Sequence, residues 1–100
     1  MLARVMTFYA SSDKIADLVA TLRSELPARY GSIPGYRGIV VLEKSAGNHM
    51  IAMTLWENEE GIEASEDVAV DNATRIQQAS GTAVSMNVYE VVGMGGEISE

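Results

Sequence analysis

Trp56, Asn87, Thr7 and Tyr36 are the residues whose types suit them to hold a small flat molecule. An indole offers a face for stacking and an N–H that can orient a carbonyl or a phenolate. The competing role for Trp56 is to anchor a corner, because it ends an apolar run just before the polar Glu57-Asn58. Thr7, Ser85 and Asn87 are polar residues inside otherwise apolar runs. A buried polar group needs a hydrogen-bond partner, which a ligand, an exposed edge or a second chain can supply. Tyr9, Tyr36 and Tyr89 offer aromatic walls and phenolic hydroxyls, or simply packing. Arg37 has the chemistry to bind a carboxylate or phenolate, or to point outward beside Glu43. Met6, Met50, Met53 and Met86 are soft filler for a core or for an adaptable pocket.

Other chemistries lack their parts. There is no cysteine, which removes disulfides and thiolate metal sites. His49, the single histidine, falls in a turn-rich stretch where solvation is its ordinary state, with no ligand-spaced partners for a metal. No G-x-S-x-G turn is present for a nucleophilic serine. Gly93-x-Gly95-Gly96 follows a strand-like run but opens no helix, so it is not a dinucleotide fingerprint. The formal net charge of −7, with no basic cluster, repels phosphate backbones and anionic lipid, so neither nucleic acid nor membrane is an expected partner. No secretory signal and no apolar run of about 18 residues appears, and the expected location is cytoplasmic.

The elements that position these residues can be read from periodicity. Leu2–Ala10 is an uninterrupted aromatic and branched run, expected as a strand. Ser11, Ser12 and Asp13 suit a helix start. Ile15, Leu18, Val19, Leu22 and Leu26 then form one apolar stripe at spacings of three and four, with Pro27 in the last turn. The turn Gly31-Ser32-Ile33-Pro34-Gly35 leads to Tyr36–Lys44 and Met50–Trp56, an expected antiparallel hairpin. Asn58 is a candidate N-cap for a second helical region over about residues 59–79. That region is expected to break, because Gly61 and Glu66-Asp67 loosen its narrow apolar stripe. Thr82–Val92 reads as the last strand.

This order is βαββαβ: a ferredoxin-like α+β domain with a four-stranded antiparallel sheet and two helices on one face. Residues 1–92 make that one domain, and residues 93–100 are expected to be a flexible tail. Alternation along the strands leaves both sheet faces apolar. Leu2, Met6 and Phe8 oppose Ala3, Val5 and Tyr9; Ile39 and Val41 oppose Val40 and Leu42; Met50, Ala52 and Trp56 oppose Ile51, Met53 and Leu55. Helices cover only one face, and the other exceeds the apolar patch usual for a monomer. A homodimer paired through the sheet face is therefore expected.

Over about residues 2–92 the chain resembles the dimeric α+β barrel superfamily, in its antibiotic biosynthesis monooxygenase-like (ABM) branch. The resemblance rests on Ile33-Pro34-Gly35-Tyr36-Arg37-Gly38, on Thr54-Leu55-Trp56-Glu57-Asn58, and on Val88-Tyr89-Glu90-Val91-Val92. It implies two sheets closing a barrel, a pocket between sheet and helices, and Trp56 near that pocket. It also implies one of two functions. The first is a cofactor-independent monooxygenase acting on a small aromatic or quinone-like substrate, with no metal or flavin of its own. The second is a non-catalytic barrel that binds a small apolar ligand or assists a partner enzyme. The haem-degrading members place an Asn on the first strand, a Trp about nine residues past the third, and a His ten later. Here the first strand has no Asn, and those positions hold Ser65 and Arg75, whose guanidinium has no lone pair for iron.

Overall fold

The computed structural model describes residues 1–44 and 48–95, with the backbone alone for Ser12. Seven elements follow in order: β1 (Leu2–Tyr9), α1 (Ser12–Tyr30), β2 (Tyr36–Glu43), β3 (His49–Trp56), α2 (Glu59–Ala64), α3 (Glu66–Ser80) and β4 (Ser85–Glu90). The strands form one antiparallel sheet in the order β2-β3-β1-β4, the ferredoxin-like arrangement, with three helices. The hairpin link at residues 45–47 and the tail at residues 96–100 lie outside the described residues.

Register decides which side chains meet. Leu2, Arg4, Met6 and Phe8 pair across β1 and β3 with Trp56, Thr54, Ala52 and Met50. Leu18, Leu22 and Leu26 of α1 and Ile76 of α3 complete the core with most of these residues. Ile15 and Val19, from the same sequence stripe, are only half-buried and flank the core. Pro27 lies inside α1, which still runs one turn further to Tyr30 and ends with Gly31 N–H on the Pro27 carbonyl. A buried Tyr30 ring anchors that last turn, offsetting the hydrogen bond a proline cannot make.

One extra residue in β2 reorients its start. Tyr36 pairs with Trp56, yet Gly38 pairs with Leu55, so Arg37 is a β-bulge. Strict alternation from Val40 and Leu42 would send Tyr36 to the sheet's bare face. The bulge turns it onto the helix side instead, beside Trp56. Arg37 is left exposed and pairs with Glu57 at 3.1 Å, not with Glu43.

The expected break in the second helical region falls at Ser65, and Arg4 explains its position. This arginine is only 2% exposed. Its guanidinium donates to the Ile62 carbonyl at 2.8 Å and to Ser65 Oγ at 3.4 Å, and it pairs with Glu66 at 3.0 Å. The Ser65 hydroxyl also donates to Ile62 O. A buried charge is costly without partners. Here the carbonyl freed at the end of α2 and the carboxylate opening α3 supply them. Arg4 Nε has no hydrogen-bond partner among the described residues.

Two further differences from the sequence expectations have local causes. β4 starts at Ser85 rather than Thr82, because the Thr82 hydroxyl stands in for a backbone rung. It donates to Tyr9 O at 2.7 Å and accepts from Tyr9 N–H at 3.3 Å. His49 opens β3 rather than lying solvated in the loop, and its ring stacks on Tyr9 at 4.8 Å. Gly81, at φ 74°, ends α3 in the left-handed region that favours glycine.

Arg4→Ala should lower stability by about 2–3 kcal/mol, through the lost charge-assisted bond to the Ile62 carbonyl and the cavity. Urea unfolding is the measurement, and Arg4→Met should recover part of the loss. A change below about 0.5 kcal/mol would show that Arg4 does not hold the helix break.

Candidate functional site

Trp56 is fully buried on the helix side of the sheet. Its indole N–H donates to Thr54 Oγ1 at 2.9 Å, two residues back on the same face of β3. Tyr30 and Tyr36 meet the indole edge-on, each with ring centroids 5.5 Å away, and stack on one another at 6.0 Å. Above it, α2 approaches through Gly61, where a Cβ would lie 2.8 Å from Trp56 Cε3 and 3.0 Å from Pro34 O. Only glycine allows that approach. Asn58 caps α2, accepting from Gly61 N–H at 3.2 Å, as its place in the sequence suggested.

The layer continues outward through polar groups. Tyr30 OH accepts from Asn72 Nδ2 at 3.2 Å, and Asn72 Oδ1 accepts from Arg29. Arg29 also pairs with Asp71 at 2.6 Å, and Arg75 reaches the same carboxylate at 3.1 Å. The Arg29 hydrogen bond holds the Asp71 carboxyl below its usual range. Burial pushes the Tyr30 phenol up, against the smaller opposing effect of Asn72. This network ties the end of α1 to α3.

Of the four residues singled out in the sequence, Trp56 and Tyr36 therefore come together on the helix side. Thr7 and Asn87 lie on the opposite, helix-free face, as diagonal neighbours: Thr7 faces Ser85 and Val5 faces Asn87. The sheet separates the two pairs. That bare face also carries Val40, Leu42, Ile51, Met53 and Leu55, with Leu42 46% exposed and Tyr9 and Tyr89 each 56% exposed.

Open space lies elsewhere. A cleft of about 590 Å³ runs between α1 and the end of the β2–β3 hairpin. Ile15, Ala16, Val19 and Ala20 form its apolar wall, and Arg23, Glu43, Lys44 and Asn48 its polar rim. A smaller groove of about 280 Å³ lies between α1 and α3, over Leu18, Leu22 and Ile76, with Lys14 and Arg75 at its sides. Sequence reasoning missed the larger cleft. The available signal was the split of the α1 stripe, where Ile15, Val19 and Arg23 recur every four residues beside the small Ala16 and Ala20. Nothing in the sequence shows that the hairpin end lies beside them.

Gly61→Ala should cost about 1–3 kcal/mol by forcing α2 away from Trp56, read as a lower urea midpoint. An unchanged midpoint would mean that α2 is not seated on the indole. Tyr30 gives a pH signature. Its folded pKa lies above the unfolded value, so its contribution is complete below about pH 10 and is lost as pH rises through the folded pKa. Unfolding midpoints from pH 9 to 11 should fall more steeply for the parent than for Tyr30→Phe. Parallel curves would contradict a buried phenol.

Comparison with known proteins places this geometry. The model of the family antibiotic biosynthesis monooxygenase matches residues 1–69. No curated protein matches the sequence. Among solved structures, the ActVA-Orf6 monooxygenase of Streptomyces coelicolor, in complex with nanaomycin D, superposes with a TM-score of 0.72 at 11% identity, over 99% of this chain and 92% of that one. A variant of SnoaB, a cofactor-independent oxygenase of Streptomyces nogalater, gives 0.72 at 14% identity, over 96% and 97%. The haem degrader MhuD of Mycobacterium tuberculosis, with two haems bound, gives 0.68 at 19% identity, over 96% and 100%. At such identities the likeness is one of fold, and these neighbours differ in activity. With its family model spanning β1 to the first turn of α3, the chain belongs to the antibiotic biosynthesis monooxygenase family.

Proposed function

We propose that this protein is a cofactor-independent monooxygenase acting on a small aromatic or quinone-like substrate held in the α1–β2 cleft. The observation that carries the reading is the cleft itself: about 590 Å³, apolar along α1 and polar at the hairpin rim. That volume is in the range of small-molecule sites. In such a reaction the substrate anion is the reductant of dioxygen. A ring methylene becomes a carbonyl, one oxygen atom enters the product, and the other leaves as water with the two methylene hydrogens. The protein supplies orientation, an apolar wall that strips water from the anion, and fixed charge beside it. Trp56 and Tyr36 have a scaffolding part in this account, holding β3 and α2 in place.

The working form in this proposal is a homodimer paired through the helix-free sheet face. Its support is the contiguous apolar surface of Val5, Val40, Leu42, Ile51, Met53 and Leu55. Thr7 and Asn87 then lie in the interface, where the partner copy can satisfy them. Sedimentation should show a dimer at micromolar concentration, and monomer alone would overturn that part.

A second reading, a barrel that binds a small apolar ligand without turnover, is favoured by one observation. The indole N–H that would orient a substrate is already held by Thr54. Oxygen uptake separates the two. With a panel of hydroxylated anthrones, whose ring methylene can become the carbonyl, the oxygenase reading expects uptake that falls at least about tenfold in Ala20→Trp, which fills the cleft, and about twofold or less in folded Trp56→Phe. Binding of panel members without uptake supports the second reading. Uptake unaffected by Ala20→Trp contradicts the first.

A further inference from the structure

Four of the seven basic residues of this acidic chain are committed. Arg4, Arg29, Arg37 and Arg75 each pair with a carboxylate. Among the described residues no ion pair engages Lys14, Arg23 or Lys44 within 4.0 Å. Two of these three, Arg23 and Lys44, line the same cleft. Their placement has a structural origin. Arg23 continues the four-residue row of Ile15 and Val19 along α1, so it stands at the end of the apolar wall. Lys44 follows the last residue of β2, and its N–H donates to His49 O at 2.9 Å, which fixes its backbone against β3. The hairpin residues 45–47 that follow are Ser, Ala and Gly and bring no countercharge.

Resting on the cleft as the binding site, we infer that Arg23 and Lys44 grip a carboxylate of the bound molecule, so that its preferred occupants are hydroxy-aromatic carboxylic acids. Three features select this class. Four apolar side chains on one helix face provide a flat wall that suits an aromatic ring. An arginine fork matches a carboxylate in two-point geometry, and the lysine adds a point charge. Glu43 lines the same cleft and makes no ion pair among the described residues. Its carboxylate repels a bare inorganic anion, but it accepts a hydrogen bond from a ring hydroxyl. A molecule with a carboxylate at one end and a hydroxyl at the other answers all three side chains. With a net charge of −7 on the chain, such an acid is drawn to this cleft rather than to the surface at large.

The test uses 3-hydroxy-2-naphthoate and 2-naphthol with the full chain, followed by calorimetry and by amide and methyl NMR shifts. Naphthoate should bind at least about fivefold more tightly than naphthol and shift Ile15, Val19 and Lys44. Arg23→Gln and Lys44→Gln should each weaken naphthoate by about three- to fivefold, and the pair together by about tenfold or more, with naphthol unchanged. Rising salt should weaken naphthoate alone. Circular dichroism shows whether these surface variants keep the fold. Equal affinity for the two probes, no binding, an unaffected double variant, or shifts confined to the bare sheet face would each overturn the inference. Oxygen uptake stays a separate readout. Uptake is read on the anthrone panel, since neither naphthol probe has a ring methylene. Charge-dependent naphthoate binding with no uptake on that panel upholds the carboxylate site and removes the oxygenase reading, whereas uptake there with naphthol and naphthoate bound equally does the reverse.

Discussion

An indole N–H buried without an acceptor costs about 1–3 kcal/mol, and the whole helix-side arrangement of this domain follows from how that cost is avoided. Thr54 stands two residues before Trp56, on the same face of the same strand, and accepts the hydrogen bond. With that bond made, the large ring can sit fully buried at the corner between β3 and α2. Its bulk then sets its neighbours. Tyr30 closes α1 against it, the bulge at Arg37 turns Tyr36 toward it, and Gly61 lets α2 pass over it. Arg4, one rung away opposite Thr54, secures the far end of α2.

This corner is packed, and the open space lies at the other end of the domain. Between α1 and the β2–β3 hairpin end a cleft opens, lined on the helix side by Ile15, Val19 and the small Ala16 and Ala20. The function proposed for the protein uses that space. The division is physically economical, since a rigid corner holds the sheet and helices in register and a cleft at the opposite end is free to vary in the residues that touch a ligand. Solved structures of this fold include an oxygenase and a haem degrader, so the fold by itself does not set the activity. At the two positions where the haem-degrading pattern wants Trp and His, Ser65 is buried under Arg4 and Arg75 is spent on Asp71.

Most of the fold was legible in the sequence. Period-two runs located the strands, the three-and-four stripe located α1, and Asn58 marked the start of α2 where its side chain does cap the helix. The break in the second helical region was legible as weakness. Its place at Ser65 was not, since that depends on an arginine about sixty residues earlier in the chain. Tyr36 escaped the alternation rule because a one-residue bulge is invisible to periodicity. His49 looked like a loop residue because its reason for ordering, the ring of Tyr9, comes from another strand. The cleft escaped for the same kind of cause: nothing in the sequence links Arg23 with Lys44 until the fold brings their elements together. Local signals were readable, and non-local pairings were not.

The claim on which the rest stands is that Trp56 is a closed structural corner and not a wall of the ligand site. Hydrogen exchange of its single indole N–H, followed by NMR at neutral pH, tests this directly. A bond to Thr54 in a water-free corner should slow exchange to the rate set by global unfolding, and saturating naphthoate should leave the resonance in place. Exchange complete within minutes under native conditions, or an indole resonance that moves strongly with ligand, would contradict it.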